Sequence, residues 1–138
     1  MKLIRCLMVD NERLARLVMR DLLAAHPDFQ IVAEAADIAE AFEGVRLYRP
    51  DVMFLDIQMP GGDGFQLLDA LAPELPLVVL VTAYDHYALR AFEANALDYL
   101  LKPVEPARLA VAVQRVRQRI SLAATPAPTP VAPLRLRG

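Results

Sequence analysis

The run Val52-Met53-Phe54-Leu55-Asp56-Ile57-Gln58-Met59-Pro60 decides how the rest of the chain is read. Apolar residues lead into a single carboxylate, and Pro60, Gly61 and Gly62 follow at once. A short apolar run closed by turn residues marks a strand buried on both faces, as in parallel sheets. Asp56 then falls at the carboxyl end of that strand, where open α/β sheets collect their ligands. On this segment alone, a strand that merely ends in a solvated Asp fits equally well.

Upstream, Leu3 to Val9 reads as a first buried strand ending in Asp10-Asn11-Glu12. A helix follows, with Leu14, Leu17, Val18, Leu22 and Ala25 as its apolar stripe and His26-Pro27 as its stop. Phe29 to Ala35 gives a second strand, and Asp37 is placed to cap a helix through Tyr48. Downstream, Phe65 to Leu71 forms a short helix ended by Pro73, and Leu77 to Val81 is a strand that runs into Thr82. Asp85 is expected to cap a helix from His86 to Ala94. Asp98 to Leu101 makes a last strand before Lys102-Pro103. Pro106 opens a final helix with a stripe of Leu109, Val113, Val116 and Ile120.

Strands and helices therefore alternate, five of each, which predicts an α/β fold with a parallel sheet covered on both faces. A doubly wound, flavodoxin-like (βα)5 sheet of strand order 2-1-3-4-5 brings the ends of strands one and three together. The chain has 138 residues, 56% hydrophobic and 23% charged, enough for one globular domain over residues 1–122. Its net charge of -2 offers no general attraction to nucleic acid or anionic lipid. No apolar run reaches the length of a signal peptide or membrane span, so a cytoplasmic protein is expected. Residues 123–138 are rich in Pro and Ala and read as a polyproline II linker toward a further domain, or as a disordered tail.

Asp10-Asn11-Glu12, Asp56, Thr82 and Lys102 all fall at carboxyl ends of expected strands. Carboxylates gathered there need a cation, and hard oxygen ligands in an open site suit Mg²⁺. Lys102 adds a point charge for an anion and Thr82 a hydroxyl donor. With Asp56 as an ionised nucleophile, this is the equipment for phosphoryl transfer to a carboxylate.

The segments Val9-Asp10-Asn11-Glu12, Phe54-Leu55-Asp56-Ile57-Gln58-Met59-Pro60, Val81-Thr82-Ala83-Tyr84 and Asp98-Tyr99-Leu100-Leu101-Lys102-Pro103-Val104 resemble the receiver domain of two-component response regulators. The runs Leu14-Ala15-Arg16 and Ala91 through Pro103 resemble more narrowly the LytTR-type, LytR/AlgR-like subgroup. The resemblance implies Asp56 as phosphoacceptor for a sensor histidine kinase. It implies Mg²⁺ held by Asp10, Asn11, Asp56 and the Gln58 backbone carbonyl. Thr82, Ala83 and Lys102 would bind the phosphoryl group, with Tyr99 as the switching aromatic, and Lys102-Pro103 would be cis. Gln58 and Tyr84 would tune dephosphorylation, and the bulky, non-acidic Tyr84 implies slow loss of phosphate. Asn11 stands where the family usually has a second acid, which implies weaker Mg²⁺ binding. A homodimer would form through the helix 4–strand 5–helix 5 face. DNA would be reached only through a LytTR domain beyond this chain. No separate substrate would be turned over.

Two other readings compete. A degenerate, phosphorylation-independent interaction module has Asn11 as its support. A haloacid-dehalogenase-like phosphatase would want a second Asp two residues after Asp56, where this chain has Gln58. Cys6 reads as a small core residue, His26 and His86 as helix-end residues, and Arg115, Arg117 and Arg119 as a solvated face. Gly61, Gly62 and Gly64 make a turn beside Asp56, without the Lys-Ser/Thr of a P-loop.

Overall fold

A computed structural model describes residues 2–59 and 62–124. Parallel strands β1 (Ile4–Val9), β2 (Phe29–Ala35), β3 (Val52–Leu55), β6 (Leu77–Thr82) and β7 (Asp98–Leu101) form one sheet in the order β2-β1-β3-β6-β7. This is the expected 2-1-3-4-5 order, with β6 and β7 as its fourth and fifth strands. A small antiparallel pair, β4 (Gln58–Met59) and β5 (Gly62–Asp63), was not expected from the sequence. The helices are α1 (Arg13–Leu23), α2 (Ile38–Tyr48), α3 (Gly64–Leu71), α4 (Ala88–Glu93) and α5 (Pro106–Ala124). Residues 125–138, which hold most of the expected linker, lie outside the described residues.

Alternation along the strands sorts the core into two layers, because successive side chains point to opposite faces. Leu7, Val9, Met53, Leu55, Val78 and Leu80 pack with α2, α3 and Ala91 of α4. Cys6, Met8, Phe54, Val79, Val81 and Leu100 face the other way, onto Met19 and Leu23 of α1 and Leu109, Val113 and Val116 of α5. Burial pushes the Cys6 thiol up to about 12, with Asp51 and Asp28 adding to the effect, so it is an inert core group.

Local chemistry sets the helix ends. Asp37 caps α2 as expected, accepting the Glu40 N–H at 2.7 Å. Asp63 and Gln66 form a reciprocal capping box at the start of α3. Gly64 packs closely there, since a Cβ would meet Ile57 Cα and Leu55 Cδ2, each at 3.1 Å, and these neighbours would have to give way.

Two expectations are corrected. The α1 stripe Leu14, Leu17 and Val18 is exposed, and Met19 and Leu23 are buried instead. Both sets have helical spacing, so periodicity identified the helix without choosing its face. The sheet makes the choice, since Met19 and Leu23 pack against it, and Arg16 and Arg20 then reach Glu34 of β2. Asp85 lies within a 3₁₀ turn (Asp85–Tyr87) and caps nothing; α4 starts only at Ala88. There the Tyr99 hydroxyl takes over, accepting the Tyr87 N–H and donating to the Tyr84 carbonyl.

Two arginines expected to be solvated are also engaged. Arg117 donates to both carboxylate oxygens of Asp28, at 2.7 and 2.8 Å. Arg115 reaches Asp98 Oδ2 at 3.0 Å, where Arg108 also binds, at 3.0 and 2.5 Å. The Asp98 side chain is only 3% exposed. Burial pushes its pKa upward, but the Arg108 hydrogen bonds, the Tyr99 N–H and both guanidinium charges together hold it below the usual carboxylate value.

Asp98→Asn should therefore lower the unfolding free energy at pH 7 by about 2 kcal/mol. An acid whose pKa is depressed by folding stabilises above its unfolded value, and the benefit fades as pH falls through the folded value. Urea melts of both proteins should converge at acid pH. A gap that stays constant across the acid range would refute this account.

Candidate functional site

Four of the five strand ends, all but that of β2, deliver one polar residue to the carboxyl edge of the sheet. Asp10 follows β1 and its N–H still bonds the Ala35 carbonyl of β2 at 3.0 Å. Asp56 follows β3, its N–H bonded to Val9 O at 2.9 Å, and Lys102 follows β7, bonded to Thr82 O at 2.8 Å. These backbone bonds extend the parallel ladders by one residue and fix where the side chains start.

The side chains then meet. Lys102 Nζ donates to Asp10 Oδ2 at 2.7 Å and to Asp56 Oδ2 at 2.9 Å. Glu12 Oε1 stands 3.7 Å from the same ammonium, with its side chain 69% exposed. The other carboxylate oxygens take local backbone donors: Asp10 Oδ1 accepts Glu12 N–H at 2.9 Å and Asp56 Oδ1 accepts Gln58 N–H at 3.1 Å. Arg16 braces the Asp10 carbonyl from α1.

Asp56 is buried but lies beside an open cavity of about 480 Å³, walled by Asn11, Glu12, Gln58, Met59, Ala83 and Tyr84. Burial raises the Asp56 pKa above its ordinary value, Lys102 and the Gln58 N–H oppose this, and Asp10 adds to the rise. The sequence implies an ordinary ionised carboxylate here; the shift comes from enclosure by the fold, which the sequence does not show. For Lys102, burial favours the neutral amine, but hydrogen bonds and charge from both aspartates outweigh it and raise its pKa.

Thr82 is fully buried at the end of β6, its hydroxyl accepting the Tyr84 N–H at 3.3 Å. Tyr99 engages the 84–87 segment through its hydroxyl and is not among the residues lining the cavity. Gln58 Nε2 donates to the Tyr87 hydroxyl at 3.0 Å. The Lys102-Pro103 peptide is cis, as expected. Arg16 and Tyr87 were missed: one looked like a surface residue of a helix, and the other gave no signal apart from its aromatic ring.

Among the described residues, no three or more His, Cys, Asp or Glu side chains gather as a metal cluster. The protein thus offers two carboxylates converging on a single cation. That suits an ion that takes one or two carboxylates and completes its shell with carbonyl oxygen, water and phosphate, as Mg²⁺ does.

Residues 6–114 match a family model described as the response regulator receiver domain. The chain is similar to an uncharacterized response regulatory protein of Vibrio cholerae, 49% identical over 115 residues, covering 83% of this chain and 48% of that protein. It is also similar to the transcriptional regulatory protein BtsR of Salmonella typhi, 48% identical over 120 residues, covering 86% and 50%. The chain thus spans about half the length of the curated relatives it matches. Among solved structures, the receiver domain of AraT from Geobacillus stearothermophilus superposes with a TM-score of 0.81 at 33% identity, covering 89% of this chain and 99% of that one. The response regulatory domain of mrkE from Klebsiella pneumoniae gives 0.79 at 28%, covering 86% and 99%.

Lys102 screens two carboxylates from each other, so Lys102→Ala should destabilise the metal-free protein by about 1–3 kcal/mol. Because folding raises the Asp56 pKa, its charge opposes folding at neutral pH, and adding Asp56→Asn should recover part of that loss. Thermal melts in a chelator compare the variants. A double variant no more stable than Lys102→Ala would rule out carboxylate repulsion as the cause.

Proposed function

Because the chain belongs to the response regulator receiver domain family, we propose that it is a phosphorylation-controlled switch whose acceptor is Asp56. The observation that carries this reading is the Lys102 ammonium shared by Asp10 and Asp56 at the carboxyl edge of the sheet. An Asp56 oxygen would attack phosphorus of a kinase phosphohistidine in line. The O–P bond forms as the P–N bond breaks, and the imidazole leaves with the electron pair. Lys102 is placed to exchange a carboxylate partner for a phosphoryl oxygen, and the Thr82 hydroxyl lies one strand away.

Asp10, Asp56, Asn11 and the Gln58 carbonyl would hold Mg²⁺, which when bound neutralises charge on the transferring oxygens. Asn11 adds an oxygen without charge, so metal affinity would be weaker than with two acids in tandem. Gln58 and Tyr84 line the open mouth and would set how readily water reaches the acyl phosphate. Gln58 is an amide held by Tyr87, which leaves a phosphatase of the haloacid-dehalogenase type without its acid.

The output would be a conformational population shift passed to a domain beyond this chain, of LytTR type in this proposal, acting on DNA in the cytoplasm. The face of α4, β7 and α5 would carry a homodimer, since Leu89, Phe92, Leu101 and Val111 are exposed there.

Intact mass after incubation with Mg²⁺ and acetyl phosphate should show one added phosphoryl group. The adduct should be absent in Asp56→Ala and without Mg²⁺. No adduct at high Mg²⁺ would favour the degenerate-module reading. Separately, light scattering with beryllium fluoride should show a shift toward dimer that Phe92→Glu abolishes; an unchanged monomer would remove the dimer proposal.

A further inference from the structure

The amino edge of the sheet, opposite Asp56, holds a second cavity of about 600 Å³, between the C-terminal ends of α2 and α3. That volume lies within the range of small-molecule sites. Leu71, Pro73, Leu75 and Pro76 line it from the end of α3 and the segment after it, with Glu74 among them. Arg46 and Arg49 line it from α2 and its end, beside Phe42 and Val45. Among the described residues no carboxylate lies within ion-pair distance of either guanidinium, although Glu74 also borders the cavity. Arg13 and Arg119 likewise lack a carboxylate partner; Arg46 and Arg49 are set apart by bordering one cavity together.

Both arginines are exposed; a ring contact orients the Arg46 guanidinium, and the backbone of Arg49 is fixed. The Arg46 guanidinium lies 5.6 Å from the centroid of the Phe42 ring, which also faces the cavity. Arg49 ends α2 in the left-handed region, at φ 45° and ψ 61°, a place where glycine or asparagine carries the least strain. Its carbonyl is fixed from β1 by Arg5 Nη1 at 3.0 Å. The backbone there is pinned, and the strained position is filled by a cation at the cavity wall.

From this pairing of two cations without carboxylate partners and an apolar surface, we infer that the cavity binds a small amphipathic anion. Its acidic group lies on Arg46 and Arg49 and its hydrocarbon part against the prolines and leucines. Guanidiniums recognise carboxylate, sulfonate and phosphate oxygens through paired N–H donors, and the apolar surface adds affinity that a free inorganic anion cannot use. The site stands apart from Asp56 and does not depend on the phosphorylation proposal.

The test uses 8-anilino-1-naphthalenesulfonate as probe, with fluorescence for affinity and amide chemical shifts for location. Binding should shift residues 42–50 and 70–76, and octanoate should compete while inorganic phosphate at equal concentration does not. Arg46→Glu with Arg49→Glu should weaken binding about tenfold or more, and Asp56→Ala should leave it unchanged. Unaltered circular dichroism and melting temperature establish that the double variant is folded; if it is not, Arg46→Gln with Arg49→Gln replaces it. Equal affinity in wild type and variant, shifts confined to other surfaces, or equal competition by octanol and octanoate would each overturn the proposal.

Discussion

The Lys102 ammonium sits between Asp10 Oδ2 and Asp56 Oδ2, and the surrounding architecture makes that contact possible. Two carboxylates on adjacent parallel strands, β1 and β3, would repel in a region shielded from water. The lysine comes from β7, which is separated from β3 by β6. Strands in a sheet lie about 4.8 Å apart, so two steps are about 10 Å, a span that the lysine stem, the aspartate side chain and the hydrogen bond between them cover together. Strand order, parallel direction and a common carboxyl edge must all hold for the three groups to meet. The site is thus a consequence of the sheet topology, and a different winding of the same strands would scatter it.

Burial divides the labour among these groups. Asp56 is enclosed enough to raise its pKa, yet it opens onto a cavity at its side. Lys102 keeps its proton because two carboxylates outweigh its desolvation. A fixed cation beside a partly desolvated carboxylate is electrostatic preorganisation for an incoming dianion, since the positive charge need not be assembled when the ligand arrives. A like arrangement on the surface would be screened by solvent and hold its geometry poorly.

Much of this was legible in the sequence because the signals are local. The buried run from Val52 to Leu55 had to be a strand, and turn residues after Asp56 marked its end. Alternation and handedness leave few topologies, and the flavodoxin-like order is the one that brings the ends of strands one and three together. The α1 face was misread because Leu14, Leu17 and Val18 repeat at helical spacing just as Ala15, Met19 and Leu23 do, and only the sheet decides between them. Asp98 looked like an ordinary strand residue, since its partners Arg108 and Arg115 lie on a helix whose rotation the sequence does not fix. The start of α4 was misplaced for a related reason. A propensity argument credited Asp85 with capping, whereas the backbone groups there are satisfied by a hydroxyl from another strand. Nonlocal hydrogen bonds leave no periodic trace.

That last contact also distinguishes α4 from its neighbours. α2 and α3 begin with aspartate caps and α5 is clamped by Asp98 and Asp28, but α4 is six residues long and has no side-chain cap. Its outer residues Leu89 and Phe92 are exposed, and Ala91 is its buried anchor. A helix this short contributes little stability of its own. Much of its placement therefore depends on Tyr99, Tyr87 and Gln58, a chain of hydrogen bonds that ends two residues from Asp56. Local stability is lowest where buried contacts and caps are fewest, and such segments are the ones whose populations a small free energy can shift. A change of charge at Asp56 would act on the Gln58 N–H and on Lys102 directly, and through Gln58 on the tyrosines. The shortest helix is thus tethered to the cluster of Asp10, Asp56 and Lys102, the connection that the proposed phosphorylation switch would need.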